Sequence, residues 1–428
     1  MTTLPSSSSP TTRSPRRFGP ITLAIGLLLI ALNLRIGVAS VGPVLARIQD
    51  DLGFSETIAS LLTTIPVFAF GLVAFVTPIL TRRFGLHRLL GAAMAALAIG
   101  IVLRLHPSIP SLFAGTLIVG AAIAIANVAM PAAIKHEFAQ QVGLMMGLYS
   151  TALSVGAALA SGLTVPIVEH LTDDRWRPAL AFWAIPAILA FVVWLPHTGR
   201  STTPTAPASA DADLGLARPR PALRDLFTDP LAIAVTAFMG LQSIGYYVTL
   251  TWVPTILQDH GMSEHTAGWM LSYSAFPAIL TSLLAPSLAQ RIRPTWIPVT
   301  LAVALTGIAF LGLGVSPTSG TYLWMTAFGI GGGISISLAL SYIVWRSPDA
   351  QHTGQLSTMA QGFGYLLAGL GPIGIGALHD LSGGWTLPLI ALGILLVPQL
   401  IFGAIASRDA HILTPRVAPR PALATERP

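Results

Sequence analysis

Hydrophobic residues run through this chain in long blocks, and polar residues collect between them. About 20 consecutive apolar residues are enough to cross a bilayer as one helix. Twelve blocks meet that length, near 20–41, 57–80, 89–105, 111–133, 143–168, 179–197, 230–256, 265–289, 296–315, 321–344, 354–378 and 385–406. Only one connection is long. It runs from about His197 to Asp229, and its middle, Ser201 to Asp211, is polar and proline-rich. It separates six blocks from six. The pattern predicts an all-α membrane protein of twelve transmembrane helices. A six-helix half covers 20–197, a linker 198–229 and a second six-helix half 230–406, with tails at 1–19 and 407–428.

Composition sharpens this. Of 428 residues, 53% are hydrophobic and 9% charged, where a soluble domain has about 25% charged residues. Mean hydropathy is +0.72. Cysteine is absent, which excludes disulfides, thiolate metal sites and cysteine nucleophiles. The net charge of +6 does not point to nucleic acid, because the arginines lie in short loops beside the spans. Counted by loop, 18 Lys and Arg fall on the side of the tails and linker and 3 (Arg47, Arg175, Arg177) on the other; Arg35 and Arg104 lie within spans. Positive residues mark the cytoplasmic side, so both tails and the linker are expected in the cytoplasm. The Ser-, Thr- and Pro-rich residues 1–19 read as a disordered tail rather than a cleaved leader, since cleavage would discard the helix bearing Arg35.

The halves repeat at an offset of 208 residues. Phe54-Ser55-Glu56 aligns with Met262-Ser263-Glu264, and without a gap Pro78 meets Pro286 and Arg83 meets Arg291. Asp51-x-Gly53 faces Asp259-x-Gly261, and Gly156 faces Gly364. Two parallel six-helix repeats are related by an axis along the membrane normal, and such transporters bind substrate between the halves near the midplane. One position breaks the symmetry: Arg35 in the first half is Ser243 in the second.

Arg35 is the ionisable residue set deepest in any expected span. From Ile21, a rise of about 1.5 Å per residue puts it about 21 Å into the helix, past the middle of a core about 30 Å thick. Burying arginine there costs at least about 2.5 kcal/mol. Two outcomes satisfy it. It faces a wet central cavity and meets an anion or polar ligand, or it pairs with helix-end carbonyls and snorkels.

Other polar positions in the spans are candidates of the same kind. They are Asn33, Thr63 and Thr64 before Pro66, Asn127, Gln242 and Tyr246 four apart, Tyr273, and Gln361 and Tyr365 four apart. Ser243, Tyr247, Ser335 and Ser337 join them, the serines following the glycines at 329, 331, 332 and 333. Each has a bland role as helix–helix glue. Two loops, with Arg82 and Arg83 and with Arg291 and Arg293, are candidates for gating or for topology alone.

Several stretches together carry a resemblance. They are Leu32-Asn33-Leu34-Arg35 with Val41-Gly42-Pro43, the run Leu61 to Pro66, Asn127-Val128-x-x-Pro131-x-x-Ile134-Lys135, and Met359 to Pro372 around Gln361 and Tyr365. The chain from 20 to about 406 resembles the cyanate/nitroimidazole transporter family of the major facilitator superfamily. Pro78 to Arg88 also resembles that superfamily's loop motif, G-x-x-x-D-R-x-G-R-R, but Thr81 stands where Asp is usual. The resemblance implies secondary transport of a small anion or azole.

No enzyme constellation is visible. Carboxylates and histidines fall in loops, tails or span ends, with no metal-ligand spacing, and there is no ATP-binding loop. The chain is expected to use no cofactor and no metal, and to act as a monomer whose partners are a small solute and the lipid bilayer. Multidrug efflux is the competing reading. It fits less well because the one deep charge is positive.

Overall fold

The computed structural model describes residues 19–54, 56–199 and 223–413. Most of both tails, the middle of the linker and Ser55 lie outside them. Every regular element among the described residues is helical.

In the first half, α1 is Pro20–Ala39, followed by a 3-10 turn and α2, Leu45–Leu52. Then come α3 (Glu56–Ala74), α4 (Thr77–Phe84), α5 (Leu86–Leu103), α6 (Ile109–Glu137) and α7 (Val142–Leu171), with α8 (Trp176–Phe182) and α9 (Ala184–Trp194) closing the half. A short α10 (Leu223–Leu226) precedes α11 (Pro230–Asp259), α12 (Glu264–Tyr273) and α13 (Ala275–Ala289). The chain ends with α14 (Ile297–Val315), α15 (Thr321–Trp345), α16 (Ala350–Ser382) and α17 (Thr386–Ala406).

Eleven stretches are long and apolar enough to cross a membrane, and a bent pair makes a twelfth. That pair departs from the expectation of one straight span over 57–80: α3 and α4 meet at 61°. Pro78 sits at the start of α4. Proline lacks an N–H and clashes with the preceding turn, so it starts a helix readily and interrupts one poorly. Two other spans are assembled from pieces, α8 with α9 and α12 with α13. In the second, the break at Ser274 falls just before Pro277.

Helix starts are fixed locally. Asp229 accepts from Leu231 N (2.8 Å) and Ala232 N (3.0 Å) ahead of Pro230. Asp349 does the same for Gln351 N (2.8 Å) and His352 N (2.9 Å). These side chains satisfy donors that helix geometry leaves orphaned.

Packing repeats the internal symmetry of the sequence. Asp51 accepts from the Trp176 indole at 3.0 Å, and its repeat partner Asp259 accepts from Trp385 at 2.7 Å. Asp51, on α2 just after the first span, and Asp259, at the end of α11, each tie that end of their half to the start of its sixth span. Small residues let helices approach. A Cβ on Gly156 would strike the Leu32 carbonyl, so α7 lies directly on α1. Gly329, Gly331 and Gly333 are likewise close-packed, against Ser274, Ala302 and Ala278.

Large apolar side chains such as Leu72, Ile99, Leu311 and Ile394 point outward. A backbone satisfied entirely within helices and an apolar exterior are what hydrocarbon requires.

Candidate functional site

Alternate helices start at the end that bears the linker, here the linker end. From that end to the middle, the halves touch. Lys135 Nζ donates to the Val344 carbonyl (3.3 Å), and Ser150 Oγ to the Ser282 carbonyl (3.2 Å). Gly143 sits on Gln290 and Gly147 on the Leu283 carbonyl. Phe75 meets Phe363 edge-on at 5.0 Å. All these contacts lie at the level of Arg35 or toward the linker end.

A cavity of about 80 Å³ opens between the halves at the level of Arg35. Its polar lining includes Arg35, Ser150, Ser154, Gln242, Ser243, Tyr246, Tyr247, Thr306, Ser335, Tyr365 and Gln399, with no carboxylate. Arg35 is only partly buried. Its Nη1 donates to the Tyr247 hydroxyl across the half boundary at 3.2 Å, and Tyr246 and Tyr365 face the same guanidinium. Tyr246 stands edge-on to Tyr247 at 5.3 Å, and Tyr365 to Phe70 at 5.5 Å. The guanidinium is thus framed by aromatic rings and neutral hydroxyls. A planar, always-charged fork in such a setting suits an acceptor edge.

The sequence candidates divide. Arg35, Gln242, Tyr246 and Tyr365 line the cavity. Asn33 does not: its amide donates to the Leu29 (2.8 Å) and Pro186 (3.0 Å) carbonyls and ties α1 to α9. Asn127 and Gln361 form a buried link between halves just beside the cavity. Gln361 Nε2 donates to the Asn127 carbonyl (2.8 Å) and to Ser357 (2.8 Å), while Tyr149 donates to Asn127 Oδ1 (3.4 Å). Thr63 and Thr64 lie on α3 outside the lining. Tyr273 is drawn away to Thr326 (3.0 Å) and Tyr322.

Ser150, Ser154, Thr306 and Gln399 line the cavity without having been singled out. Gln399 had a signal, as the lone amide of an apolar helix. Ser150 and Ser154 are four apart on α7.

In the loops, Arg82, Arg83, Arg291 and Arg293 are exposed. Arg83 lies over the Phe84 ring (5.4 Å), and Arg293 is 3.7 Å from Asp409. Two histidines read from the sequence as lying in loops or at span ends are buried. His87 meets Glu137 at 2.8 Å and stacks on Trp194, and His197 packs against the same indole. Arg104 is buried too, and its Nη1 donates to the Gly37 carbonyl at 2.9 Å.

Twelve apolar crossings in two matching halves, with a polar cavity between them, define a membrane transporter. The chain belongs to the Major Facilitator Superfamily, whose model matches residues 23–258 and 239–426. It is 36% identical over 394 residues to "Uncharacterized transporter YycB" of Bacillus subtilis (strain 168), covering 91% of this chain and 94% of that one. It is 34% identical over 392 residues to the 2-nitroimidazole transporter of Escherichia coli (strain K12), covering 92% and 97%. It is 29% identical over 377 residues to the cyanate transport protein CynX of the same organism, covering 87% and 94%. Among solved structures, the proton:xylose symporter XylE shares the fold at a TM-score of 0.68 with 17% identity, covering 91% of this chain and 94% of that one.

Proposed function

We propose that this transporter moves a small planar anion or azole, of the cyanate or nitroimidazole kind, by alternating access, and that Arg35 binds it. The observation that carries this reading is the setting of Arg35. It faces a small cavity whose lining holds no carboxylate, and it donates to the neutral Tyr247 hydroxyl. A cation so placed leaves charge and N–H donors for a ligand. Relatives named for 2-nitroimidazole and cyanate support the solute class. The halves 20–197 and 230–406 are the moving bodies, 198–229 joins them, and one chain supplies both walls, so the monomer is the working unit. A cavity of about 80 Å³ does not favour bulky efflux substrates.

The test is counterflow in proteoliposomes against cyanate, nitrite, formate, nitroimidazoles and small carboxylates, with Arg35 variants. Arg35→Lys keeps charge but loses the fork. A lost charged hydrogen bond is worth about 1.5–3 kcal/mol, roughly 10- to 100-fold in affinity. Arg35→Ala is expected to abolish binding in a protein that still inserts. Unchanged affinity in well-folded Arg35→Ala would remove Arg35 from the site and the preference for anions with it.

The protein sits in the cytoplasmic membrane with tails and linker inside, as the division of 18 against 3 basic loop residues supports. An impermeant thiol reagent on intact cells is expected to label Asp173→Cys and spare Ala206→Cys, a linker position outside the described residues. The reverse pattern would invert the orientation.

A further inference from the structure

A second cavity, of about 390 Å³, lies between the halves at the linker end. Its wall holds three cations: Lys135 in the last turn of α6, Arg293 after α13 and Arg346 capping α15. It holds one carboxylate, Asp409, which is largely exposed and divided between Arg346 (3.4 Å) and Arg293 (3.7 Å). At those lengths one carboxylate does not neutralise two guanidiniums and an ammonium. Lys135 spends its hydrogen bond on a neutral carbonyl, that of Val344. Asp349 acts on Lys135 from nearby, yet its oxygens already accept from the backbone of Gln351 and His352 and from the His352 ring at 2.7 Å.

Donors in this wall lack acceptors. The Arg346 side chain is only 8% exposed. Its Nη1 and Nη2 reach acceptors at 3.4 Å, and its buried Nε has no protein partner. The buried Trp345 Nε1 has none either. A buried N–H left unmatched is costly. The neighbouring His411 senses the same field. Burial first, then the Lys135 and Arg346 cations, push its imidazole below the ordinary range despite Asp409.

A site with positive charge from both halves and spare N–H groups at the end of α15 fits a compact anion with several acceptor oxygens. Basic pockets between membrane helices take lipid head groups for this reason. We propose that this cavity binds a phosphate group, from an anionic phospholipid or from free phosphate, and that its occupancy holds the linker ends of the two halves together. Lys135 belongs to one half and Arg293 and Arg346 to the other. Without an anion they repel across the boundary, and with one they converge on it. A ligand that binds one conformation better shifts the population toward it. The inference goes beyond the solute reading above and holds whichever solute the central cavity takes.

Two measurements on the purified full-length protein test it. Thermal unfolding is followed in neutral detergent with inorganic phosphate against sodium chloride at matched ionic strength. It is followed again in phosphatidylcholine nanodiscs with and without phosphatidylglycerol. A rise in unfolding temperature is expected with phosphate, with phosphatidylglycerol or with both, and the arm that responds names the source. Lys135→Gln and the exposed Arg293→Gln are expected to lose that rise, so the test does not hang on the buried Arg346. No rise beyond the chloride control, or an equal rise in wild type and both variants, would overturn the site. For the clamp, a cysteine placed at Gln140 is expected to react more slowly with a thiol reagent when the anion is present. An unchanged rate alongside a thermal rise would overturn the clamping role.

Discussion

Arg35 and Asn33 stand two residues apart on α1 and do opposite things. One faces the cavity and the other binds α9 through the Pro186 carbonyl. Sequence isolates Arg35 because charge at membrane depth demands an explanation. It does not sort the amides, because a helix apolar all round shows no preferred face. Asn127 and Gln361 therefore look like ligand groups in the sequence and prove to be partners of each other across the halves. Arg104, also within a span, needs no ligand, since it is buried with its Nη1 on the Gly37 carbonyl. Tyr247 now carries weight that it did not have beside Tyr246, since its hydroxyl holds the Arg35 fork. Tyr247→Phe is expected to weaken solute binding by about 1 kcal/mol, roughly fivefold, without loss of folding. Equilibrium binding to the detergent-solubilised protein checks this, and unchanged affinity would leave the fork oriented by other groups.

Among elements, the existence and order of the spans were legible because hydrocarbon admits little else. The 61° break between α3 and α4 was not, since Pro78 lies in an otherwise continuous apolar run and hydropathy is blind to direction. The contact of α7 with α1 rests on Gly156. Any side chain there meets backbone, which cannot turn aside as a rotamer can. Gly156→Ala is expected to lower thermal stability by about 1–3 kcal/mol, the usual cost of overpacking. Gly162→Ala in the same helix meets open space and is expected to be neutral or to gain up to about 1 kcal/mol from helix propensity. Equal melting temperatures for the two variants would show that α1 yields.

At the scale of the whole molecule, the 208-residue repeat anticipated matched halves, and the Asp51–Trp176 and Asp259–Trp385 bonds repeat it, the tryptophans one residue off that spacing. The central cavity was expected from Arg35 and the repeat, but the second cavity at the linker end was not legible, because it depends on how two bodies meet. The gating proposal for the arginine loops belongs at this scale. Neutralising Arg83 and Arg291 together is expected to slow turnover while solute affinity holds, measured by transport rate and equilibrium binding on the same preparation. Normal turnover with normal insertion would leave these residues with topology alone.

The cavity's lack of a carboxylate has an electrical consequence. An empty carrier presents the Arg35 charge unbalanced, whereas a carrier holding a monovalent anion presents none there. On the anion reading proposed above, the loaded reorientation is nearly electroneutral, and the membrane potential acts on the return of the empty carrier. A full elementary charge moved through 100 mV is worth about 2.3 kcal/mol, so even a fraction of that would make voltage, rather than solute, set the pace of the cycle.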